Sequence, residues 1–275
     1  MNARAVVIDI DGTLVDHSLR IDLADAAAIA RARQAGLTVW LATGRLFSAA
    51  KPFAQELGLR GPIIVLNGAA VYDIESEKVV DAHPLVRAVA LRAYDSLKAK
   101  DLHVQLYFGD HLYLDRRNRF SEHYLAISRV EPVMVPDLRE LLTGGGASTP
   151  GPLKVLGVAP PERVLETIPL LARELGKDAQ VFRSQPEFLE ITDPTADKGR
   201  ALEAVARRER IPAQDIAAIG DSDNDIPMFR TSGQSFAVEN GTTSAKQAAS
   251  CIVAAQGSGG VAEAIALLLG ERVGG

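Results

Sequence analysis

The sequence predicts an α/β protein built on a doubly wound parallel sheet, with a smaller α+β domain inserted into it. Short β-branched apolar runs alternate with longer Ala/Leu-rich segments of helical spacing near both ends of the chain. This alternation is typical of βαβ units and of a parallel sheet covered on both faces. Residues 82–189 instead alternate apolar and polar side chains around turn signals, which is typical of hairpins. We therefore predict a core at 1–81 and 190–275 and an inserted domain at 82–189.

The first part of the core is predicted to contain three strands and two helices. The strands are AVVID, LTVWLAT and PIIVLNG, and the helices cover residues 22–35 and 46–58. The same order returns after the insertion, as a helix at 197–210, IAAIG, a helix at 224–230, SFAV, a helix at 243–249, CIVAA and a helix from Val261. The two parts together indicate one Rossmann-like fold.

The inserted domain is predicted to hold two hairpins and two helices. HVQLYFGDHLYLD should turn at Gly109-Asp110, and QVFRSQPEFLEITD near Gln185-Pro186. Helices are expected at 84–100 and 161–175. Pro169 should kink or split the second helix, because proline has no backbone N–H to donate.

Composition and charge exclude several classes of function. The 275 residues are 47% hydrophobic and 24% charged, which is ordinary for a globular protein. A net charge of -5 offers no general attraction for nucleic acid or an anionic membrane surface. A single cysteine excludes a disulfide framework and a multi-cysteine zinc site. With no signal-peptide or membrane-span pattern, we expect a cytoplasmic protein without nucleic-acid or membrane partners; the oligomeric state is undetermined.

The stretch VVIDIDGTLVD places Asp9 and Asp11 at the end of a predicted buried strand. Alternate side chains of a strand share a face, so the two carboxylates should point the same way. Two close carboxylates repel each other and lose hydration on burial. The carboxyl end of a strand is where open α/β sheets bind ligands. A bound cation would offset the cost of the pair.

A second acidic cluster follows another predicted buried strand, in IGDSDNDIPMF. Its members are Asp221, Asp223, Asn224 and Asp225. A calcium loop of the EF-hand type is excluded, because Ile226 and Ser232 stand where that loop needs Gly and Glu. If both acidic segments meet at one sheet edge, a hard divalent cation with oxygen ligands suits them, and Mg²⁺ is the favoured ion.

Two further features could receive an anion. ATGR at 42–45 follows a strand and opens a helix, so the Thr43 hydroxyl and the backbone N–H groups beyond it can bind phosphate. Lys198 stands near the first turn of a predicted helix, where a cation is unfavourable unless an anion accompanies it. Each signal is weak alone, since Thr before Gly is a common helix start and most lysines are on the surface.

Taken together, four motifs in chain order resemble the haloacid dehalogenase superfamily of phosphohydrolases. They are Asp9-x-Asp11-Gly-Thr-Leu, Thr43-Gly-Arg, Lys198-Gly, and Gly220-Asp221-Ser-Asp-Asn-Asp225. NGA at 67–69, DKGRAL at 197–202 and the large insertion resemble its Cof-type, type IIB-capped branch. The resemblance rests on motifs in the core, and only on size and hairpin pattern in the insertion.

The resemblance implies a role for each motif residue. Asp9 would be the nucleophile that forms an aspartyl-phosphate, and Asp11 the general acid and base. Mg²⁺ would be held by the Asp9 carboxylate, the Asp11 backbone carbonyl and Asp221, with Asn224 and Asp225 in support. Thr43, Gly44 and Lys198 would bind the transferring phosphate, and Arg45 and Asn67 would face the leaving group or the cap. Asp223 has no required role in this pattern.

The insertion would then act as a cap that excludes water and recognises the rest of the substrate. Arg183, Glu190 and the basic segment at 116–119 are the candidate contacts in it. The favoured function is Mg²⁺-dependent hydrolysis of a small, sugar-phosphate-like metabolite. The alternatives are a phosphomutase on the same scaffold, or a non-catalytic metabolite-binding or regulatory module.

Overall fold

The computed structural model describes residues 3–16, 18–144 and 149–271. It divides into two compact units, Met1–Asp81 with Asp197–Gly275, and Ala82–Ala196. The chain thus returns to the first unit at Asp197 rather than at residue 190. The later boundary arises because the strand Phe188–Thr192 pairs on both sides with strands of the second unit.

The first unit begins with five strands and two helices. They are β1 (Ala5–Asp9), α1 (Leu23–Gln34), β2 (Thr38–Ala42), α2 (Phe47–Glu56), β3 (Pro62–Val65), β4 (Ala70–Asp73) and β5 (Val79–Ala82). Sequence reasoning missed β4 and β5. β4 is only four residues long and becomes a strand by antiparallel pairing with β3 directly after a tight turn.

The described part of the second unit contains six strands and four α-helices. They are α3 (Arg87–Ala99), β6 (His103–Phe108), β7 (His111–Leu114), α4 (Arg119–Ser128), β8 (Val133–Met134), α5 (Leu138–Thr143), β9 (Lys154–Val158), α6 (Pro161–Leu175), β10 (Gln180–Gln185) and β11 (Phe188–Thr192). Their sheet has the order β10-β11-β9-β6-β7-β8.

Both predicted hairpins of the second unit are present, as β6–β7 and β10–β11. Of the two expected effects of Pro169, a kink or a split, the split is wrong, because α6 runs without interruption from Pro161 to Leu175. The carbonyl that Pro169 leaves without a partner belongs to Leu165, whose side chain is 54% exposed, so that water can solvate this part of the helix.

The chain then completes the first unit with three strands and four helices. They are α7 (Lys198–Glu209), β12 (Ile216–Gly220), α8 (Ile226–Thr231), β13 (Gln234–Val238), α9 (Thr243–Ala248), β14 (Cys251–Val253) and α10 (Gly260–Leu269). The predicted strands and helices of this part are confirmed, with ends that differ by a few residues.

The first unit is organised around one mixed sheet of the order β14-β13-β12-β1-β2-β3-β4-β5. β1 lies in the middle and pairs in parallel with β2 on one side and β12 on the other. All five residues of β1 are buried, as expected for a strand covered on both faces. From β1 the chain continues outward to β2 and β3, and from β12, on the other side of β1, it continues outward to β13 and β14. The carboxyl ends of β1 and β12 therefore form a topological switch point, where ligands bind in open α/β folds.

None of the helices in the described part of the chain is both long and apolar enough to cross a membrane.

Asp25, in the first turn of α1, is a buried carboxylate that holds the start of α10. Its Oδ1 accepts a hydrogen bond from the backbone N–H of Ala262 at 2.8 Å, while Oδ2 has no hydrogen-bond partner among the described residues. Burial and the neighbouring Asp22 together raise the pKa of Asp25 to about 6, against the effect of the Ala262 bond. The carboxylate form is therefore costly in the folded chain.

We expect Asp25→Asn to remove a pH-dependent part of the stability. The folded pKa lies above the unfolded value of about 3.9, so the folded chain binds more protons between the two, and its free energy of unfolding falls as the pH rises through that window. Urea denaturation at about pH 4.5 and about pH 7.5 measures this effect. The stability of the variant relative to the wild type should improve towards the higher pH, and a pH-independent difference would contradict the assignment.

Candidate active site

Lys198 joins the two acidic segments of the site. It is fully buried, and its Nζ lies 2.5 Å from Asp9 Oδ1 and 2.6 Å from Asp225 Oδ1. Burial lowers the pKa of Lys198, but the Asp225 and Asp9 carboxylates outweigh this effect and raise it above its ordinary value. The lysine is therefore a fixed cation. The two carboxylates are the anions that a lysine at this helix start was expected to need.

The start of α7 is positioned by a close backbone contact. Gly68 has φ of 92°, and a Cβ at this position would lie 2.2 Å from the Asp197 carbonyl oxygen. Asp197 is the N-cap of α7 and accepts a hydrogen bond from the backbone N–H of Arg200. Only glycine allows the loop after β3 to approach the residue that precedes Lys198 so closely.

Asp225 organises the loop that follows β12, residues 221–225, which we call the β12 loop. Its Oδ2 accepts hydrogen bonds from the backbone N–H groups of Asp221, at 2.9 Å, and Ser222, at 3.0 Å. A Cβ on Gly220 would lie 2.6 Å from the Asp225 carboxyl carbon, so glycine is required at the strand end. With both oxygens in use, Asp225 positions Lys198 and the backbone around Asp221.

Three carboxylates converge beside Lys198. One oxygen each of Asp9, Asp221 and Asp225 lies within 4.8 Å of the other two. Burial raises the pKa of Asp9 well above its ordinary range despite Lys198, and the carboxylates of Asp225 and Asp221 add to this. Burial and Asp225 likewise raise the pKa of Asp221 to about 7. When all three are ionised, three carboxylates beside one ammonium carry two negative charges in excess, and this donor set fits a divalent cation with oxygen ligands.

Asp221 packs directly against the loop that follows β1, residues 10–15, which we call the β1 loop. Thr13 Oγ1 donates to Asp221 Oδ1 at 3.0 Å. Gly12 has φ of 84°, and a Cβ there would lie 2.7 Å from Asp221 Oδ2. Gly12 is therefore needed twice, for its left-handed backbone and for the approach of the second acidic segment.

Asp11 has a different partner from Asp9. Arg45 donates to the Asp11 carboxylate through Nε, at 2.8 Å to Oδ2, and through Nη2, at 2.5 Å to Oδ1. Arg45 is 8% exposed and Asp11 44% exposed, and the guanidinium lies 5.6 Å from the centre of the Phe53 ring. The sequence analysis predicted that Arg45 faces the leaving group or the cap. In the structure, its guanidinium makes a bidentate pair of hydrogen bonds to the Asp11 carboxylate.

Thr43, Gly44 and Asn67 lie together after β2 and β3. The buried Thr43 Oγ1 accepts from the Arg45 backbone N–H at 3.1 Å, which leaves its hydroxyl proton free to be donated. A Cβ on Gly44 would lie 3.1 Å from Asn67 Oδ1. Asn224 Nδ2 donates to that same oxygen at 2.9 Å, so Asn67 and Asn224, which sequence reasoning assigned to the cap and to the metal, bond to each other.

The backbone of the NGA segment is held in an unusual conformation. Leu66, Asn67 and Gly68 have φ of 50°, 57° and 92°, all in the left-handed region. Asn and Gly tolerate this conformation, but Leu adopts it rarely. Such local strain is typical of functional segments that the surrounding fold holds in place.

The β12 loop has a second anchor that sequence reasoning did not find. Asp223 Oδ1 accepts hydrogen bonds from the hydroxyls of Thr242 and Ser244. Asn240 Nδ2 donates to the Gly12 carbonyl at 2.9 Å. The Asn-Gly dipeptide and the threonines of ENGTTS signal a turn and a helix start, but they give no sign that the segment contacts the acidic loops.

Comparison with known proteins decides the family. A family model of haloacid dehalogenase-like hydrolases matches residues 6–265. The chain belongs to this family. Membership confirms the resemblance inferred from the four motifs and the α/β fold class. It also confirms, at the level of the family, the prediction of an enzyme that hydrolyses phosphoric monoesters.

Named relatives of this haloacid dehalogenase-like hydrolase include phosphatases. A pyridoxal phosphate phosphatase of Escherichia coli is 26% identical over 92% of this chain and 94% of its own. A crystal structure from Thermotoga maritima is 30% identical, with a TM-score of 0.84 over 99% of this chain and 98% of that chain. A HAD subclass IIB sugar phosphatase, 20% identical, has the same fold with a TM-score of 0.84 over 97% and 99% of the chains.

The candidate substrate contacts in the second unit of this hydrolase differ in their burial and in their partners. Glu190, on β11, is 4% exposed, and its Oε2 lies 3.5 Å from the Nζ of the buried Lys154. Arg183 lies on the edge strand β10, where the pairing with β11 is irregular. In the segment 116–119, Asn118 caps α4 through hydrogen bonds from the backbone N–H groups of Phe120 and Ser121. That segment therefore has a clear structural role as a helix start.

Proposed function

We propose that the protein is a Mg²⁺-dependent phosphatase that hydrolyses a small phosphorylated metabolite through an aspartyl-phosphate on Asp9. One observation carries the proposal. The Asp9 carboxylate lies buried at the switch point of the sheet, beside a buried Lys198 and opposite Asp221. A carboxylate nucleophile, a fixed cation and a second acidic ligand are the groups that phosphoryl transfer to aspartate needs.

In the first step, one oxygen of the Asp9 carboxylate attacks phosphorus. The bond between phosphorus and the ester oxygen breaks, and that oxygen takes a proton from the Asp11 carboxyl group. Since Arg45 donates twice to the Asp11 carboxylate, Asp11 must share or leave this pair to reach the leaving oxygen. Lys198 and the Thr43 hydroxyl bind the transferring phosphoryl oxygens.

In the second step, water attacks phosphorus of the aspartyl-phosphate. Asp11 takes a proton from this water, the bond between phosphorus and the Asp9 oxygen breaks, and inorganic phosphate leaves. Asp9 and Asp11 return to their initial states. The positive charge of the buried Lys198 offsets the negative charge of Asp9, which reduces the repulsion between Asp9 and the phosphate.

Mg²⁺ would be held by the Asp9 and Asp221 carboxylates and by the backbone carbonyl of Asp11. When bound, it lets an anionic nucleophile approach an anionic phosphate and stabilises the charge of the transition state. Asp225 and Asn224 would support this site through the β12 loop, since Asp225 fixes the backbone of Asp221 and Asn224 accepts a hydrogen bond from the Ser222 hydroxyl.

Two relatives support the proposed substrate class. The pyridoxal phosphate phosphatase and the sugar phosphatase are named for small phosphate esters, which supports a phosphorylated metabolite of that size here. Action of the second unit as a cap, with Glu190 and Arg183 in contact with the substrate, stays a prediction, as does a cytoplasmic location.

Phosphate release from a panel of esters tests the proposal. The panel contains sugar phosphates, pyridoxal phosphate, nucleotides and an aryl phosphate, each with Mg²⁺ and with EDTA. We expect turnover of at least one ester with Mg²⁺ and a loss of on the order of 100-fold or more with EDTA. Asp9→Asn protein purified in the same way is assayed in parallel and should release no phosphate above the buffer background.

Two results would overturn the proposal. Conversion of an ester to its positional isomer without release of phosphate would favour a phosphomutase. Binding of an ester with neither release nor isomerisation would favour a metabolite-binding module.

A further inference from the structure

The segment Glu239-Asn-Gly-Thr-Thr-Ser244, residues 239–244, contacts both acidic loops of the site, although the proposed mechanism uses none of its residues. We call it the strap. It follows β13, next to β12 in the sheet. The Asn240 side chain donates to the Gly12 carbonyl in the β1 loop at 2.9 Å. The Thr242 backbone N–H donates to the Asp221 carbonyl in the β12 loop at 2.7 Å.

Asn240 is held in one orientation because both ends of its amide have partners. While Nδ2 bonds to Gly12, Oδ1 accepts from the backbone N–H of Gln256 at 2.7 Å. The residue thus connects the strap, the β1 loop and the segment after β14. Because Asn240 is exposed, its contacts bury little surface. Their effect is to fix the positions of the loops.

The Gly12 carbonyl matters because Gly12 is the contact point of the two acidic loops. It follows Asp11 directly in the chain, and the absent Cβ of Gly12 leaves the space that Asp221 Oδ2 occupies, 2.7 Å from the ideal Cβ position. A shift of this peptide would therefore change the distance between the β1 loop, which follows Asp9, and Asp221.

The other end of the strap fixes the β12 loop at two points. A Cβ on Gly241 would lie 2.6 Å from the Asp221 carbonyl oxygen, so the backbones touch there. One and three residues after Gly241, the hydroxyls of Thr242 and Ser244 donate hydrogen bonds to Asp223. Asp223, which has no part in the family pattern, gains a role here as the anchor of the strap.

The carboxylates that the two loops bring together repel each other. Asp9, Asp221 and Asp225 face a single ammonium group, and this repulsion would separate the loops if nothing held them. We infer that the strap holds the β1 and β12 loops at the separation a divalent cation needs, with Asn240 as the positioning residue that sets cation affinity. The inference rests on the proposed function only for the identity of the cation.

Asn240→Ala tests the inference in the full-length chain. Mg²⁺ is titrated into wild type and variant by isothermal calorimetry, and the Mg²⁺-induced rise in Tm is measured in parallel. We expect the dissociation constant for Mg²⁺ to rise roughly three- to tenfold. This is the effect expected when one exposed hydrogen bond that positions a metal-binding loop is lost. At saturating Mg²⁺, kcat should stay within about twofold of wild type, since no reacting group has changed.

Lys246→Ala is the matched control. Its Nζ donates to the Glu239 carbonyl at 2.9 Å, so it supports the same segment, and among the described residues its side chain makes no hydrogen bond to either acidic loop. The control should bind Mg²⁺ as the wild type does. Equal affinities of Asn240→Ala and wild type, or equal losses in both variants, would overturn the inference. Because calorimetry needs no turnover, these results stay distinct from a failure of the proposed function, which is absence of phosphate release by the wild type.

Discussion

Asp9→Asn is expected to lower kcat for phosphate release by on the order of 10⁴-fold or more, the scale on which removal of a nucleophile acts. Asparagine has nearly the same shape, but its amide cannot form the aspartyl-phosphate. The same change should leave stability unchanged or raise it at neutral pH without metal. Burial raises the pKa of Asp9 in the folded chain, so the ionised carboxylate is a cost that neutral asparagine avoids.

Three measurements check this prediction. Phosphate release gives kcat, Tm in EDTA gives stability, and mass spectrometry after acid quenching shows whether wild type carries a phosphoryl group on Asp9. Asp215→Asn, at the opposite end of β12, is the control and should retain wild-type kcat. Substantial turnover by Asp9→Asn, or a phosphoryl group on another residue, would contradict the role of Asp9.

Lys198→Met is expected to destabilise the folded chain by about 3–5 kcal/mol in EDTA, because it leaves the carboxylates of Asp9 and Asp225 buried without their shared cation. Methionine has a similar length and keeps the packing of the aliphatic chain. The loss should shrink as the pH falls. Without Lys198 the folded pKa of Asp9 rises further above its unfolded value, so protonation restores stability on the acid side.

Urea denaturation of the variant in EDTA and in Mg²⁺ measures the loss, and Mg²⁺ should recover part of it. The double variant Lys198→Met with Asp225→Asn should be more stable than the sum of the single losses predicts, since it removes one of the two carboxylates that Lys198→Met leaves unpaired. A loss below about 1 kcal/mol in EDTA, or additive losses, would show that the lysine does not stabilise the acidic cluster.

Much of the site could be predicted from the sequence because its residues follow strands. Asp9 and Asp221 each lie at or just after the carboxyl end of a buried apolar run, and parallel strands bring such ends to one edge. The place of Lys198 near a helix start was only a weak signal, and the family resemblance assigned it to the site. The arguments for Asp9 and Asp221 use only periodicity, strand ends and charge, and in each case the structure gives the residue a partner in the same cluster.

Side-chain partners could not be predicted in the same way. Arg45 bonds to Asp11 and Asn67 bonds to Asn224, although 34 and 157 positions separate the partners along the chain. Asn240 is 228 positions from Gly12. Whether an arginine faces a carboxylate or a ligand depends on its rotamer and on which loops meet at the edge of the sheet. No local pattern records either property.

The elements of the second unit show the same limit. Its hairpins are recognisable because a strand, a turn and a strand are consecutive in the chain. β9 was missed because Lys154 and Gly157 interrupt its apolar pattern. In the structure it is a central strand that pairs with β6 on one side and β11 on the other. A central strand is stabilised by its neighbours, so the pairing rather than the composition makes this segment a strand.

The sequence by itself determined the α/β class, the order of strands and helices in the core, the carboxylates at the ends of its strands and the lysine at a helix start. These depend on apolar periodicity and on the cost of burying charge, which are local properties of the chain. Only the tertiary structure decided which carboxylate pairs with Lys198 and which with Arg45, and that the strap contacts both acidic loops. These depend on distances between segments far apart in sequence, which the packing of the sheet and its helices fixes.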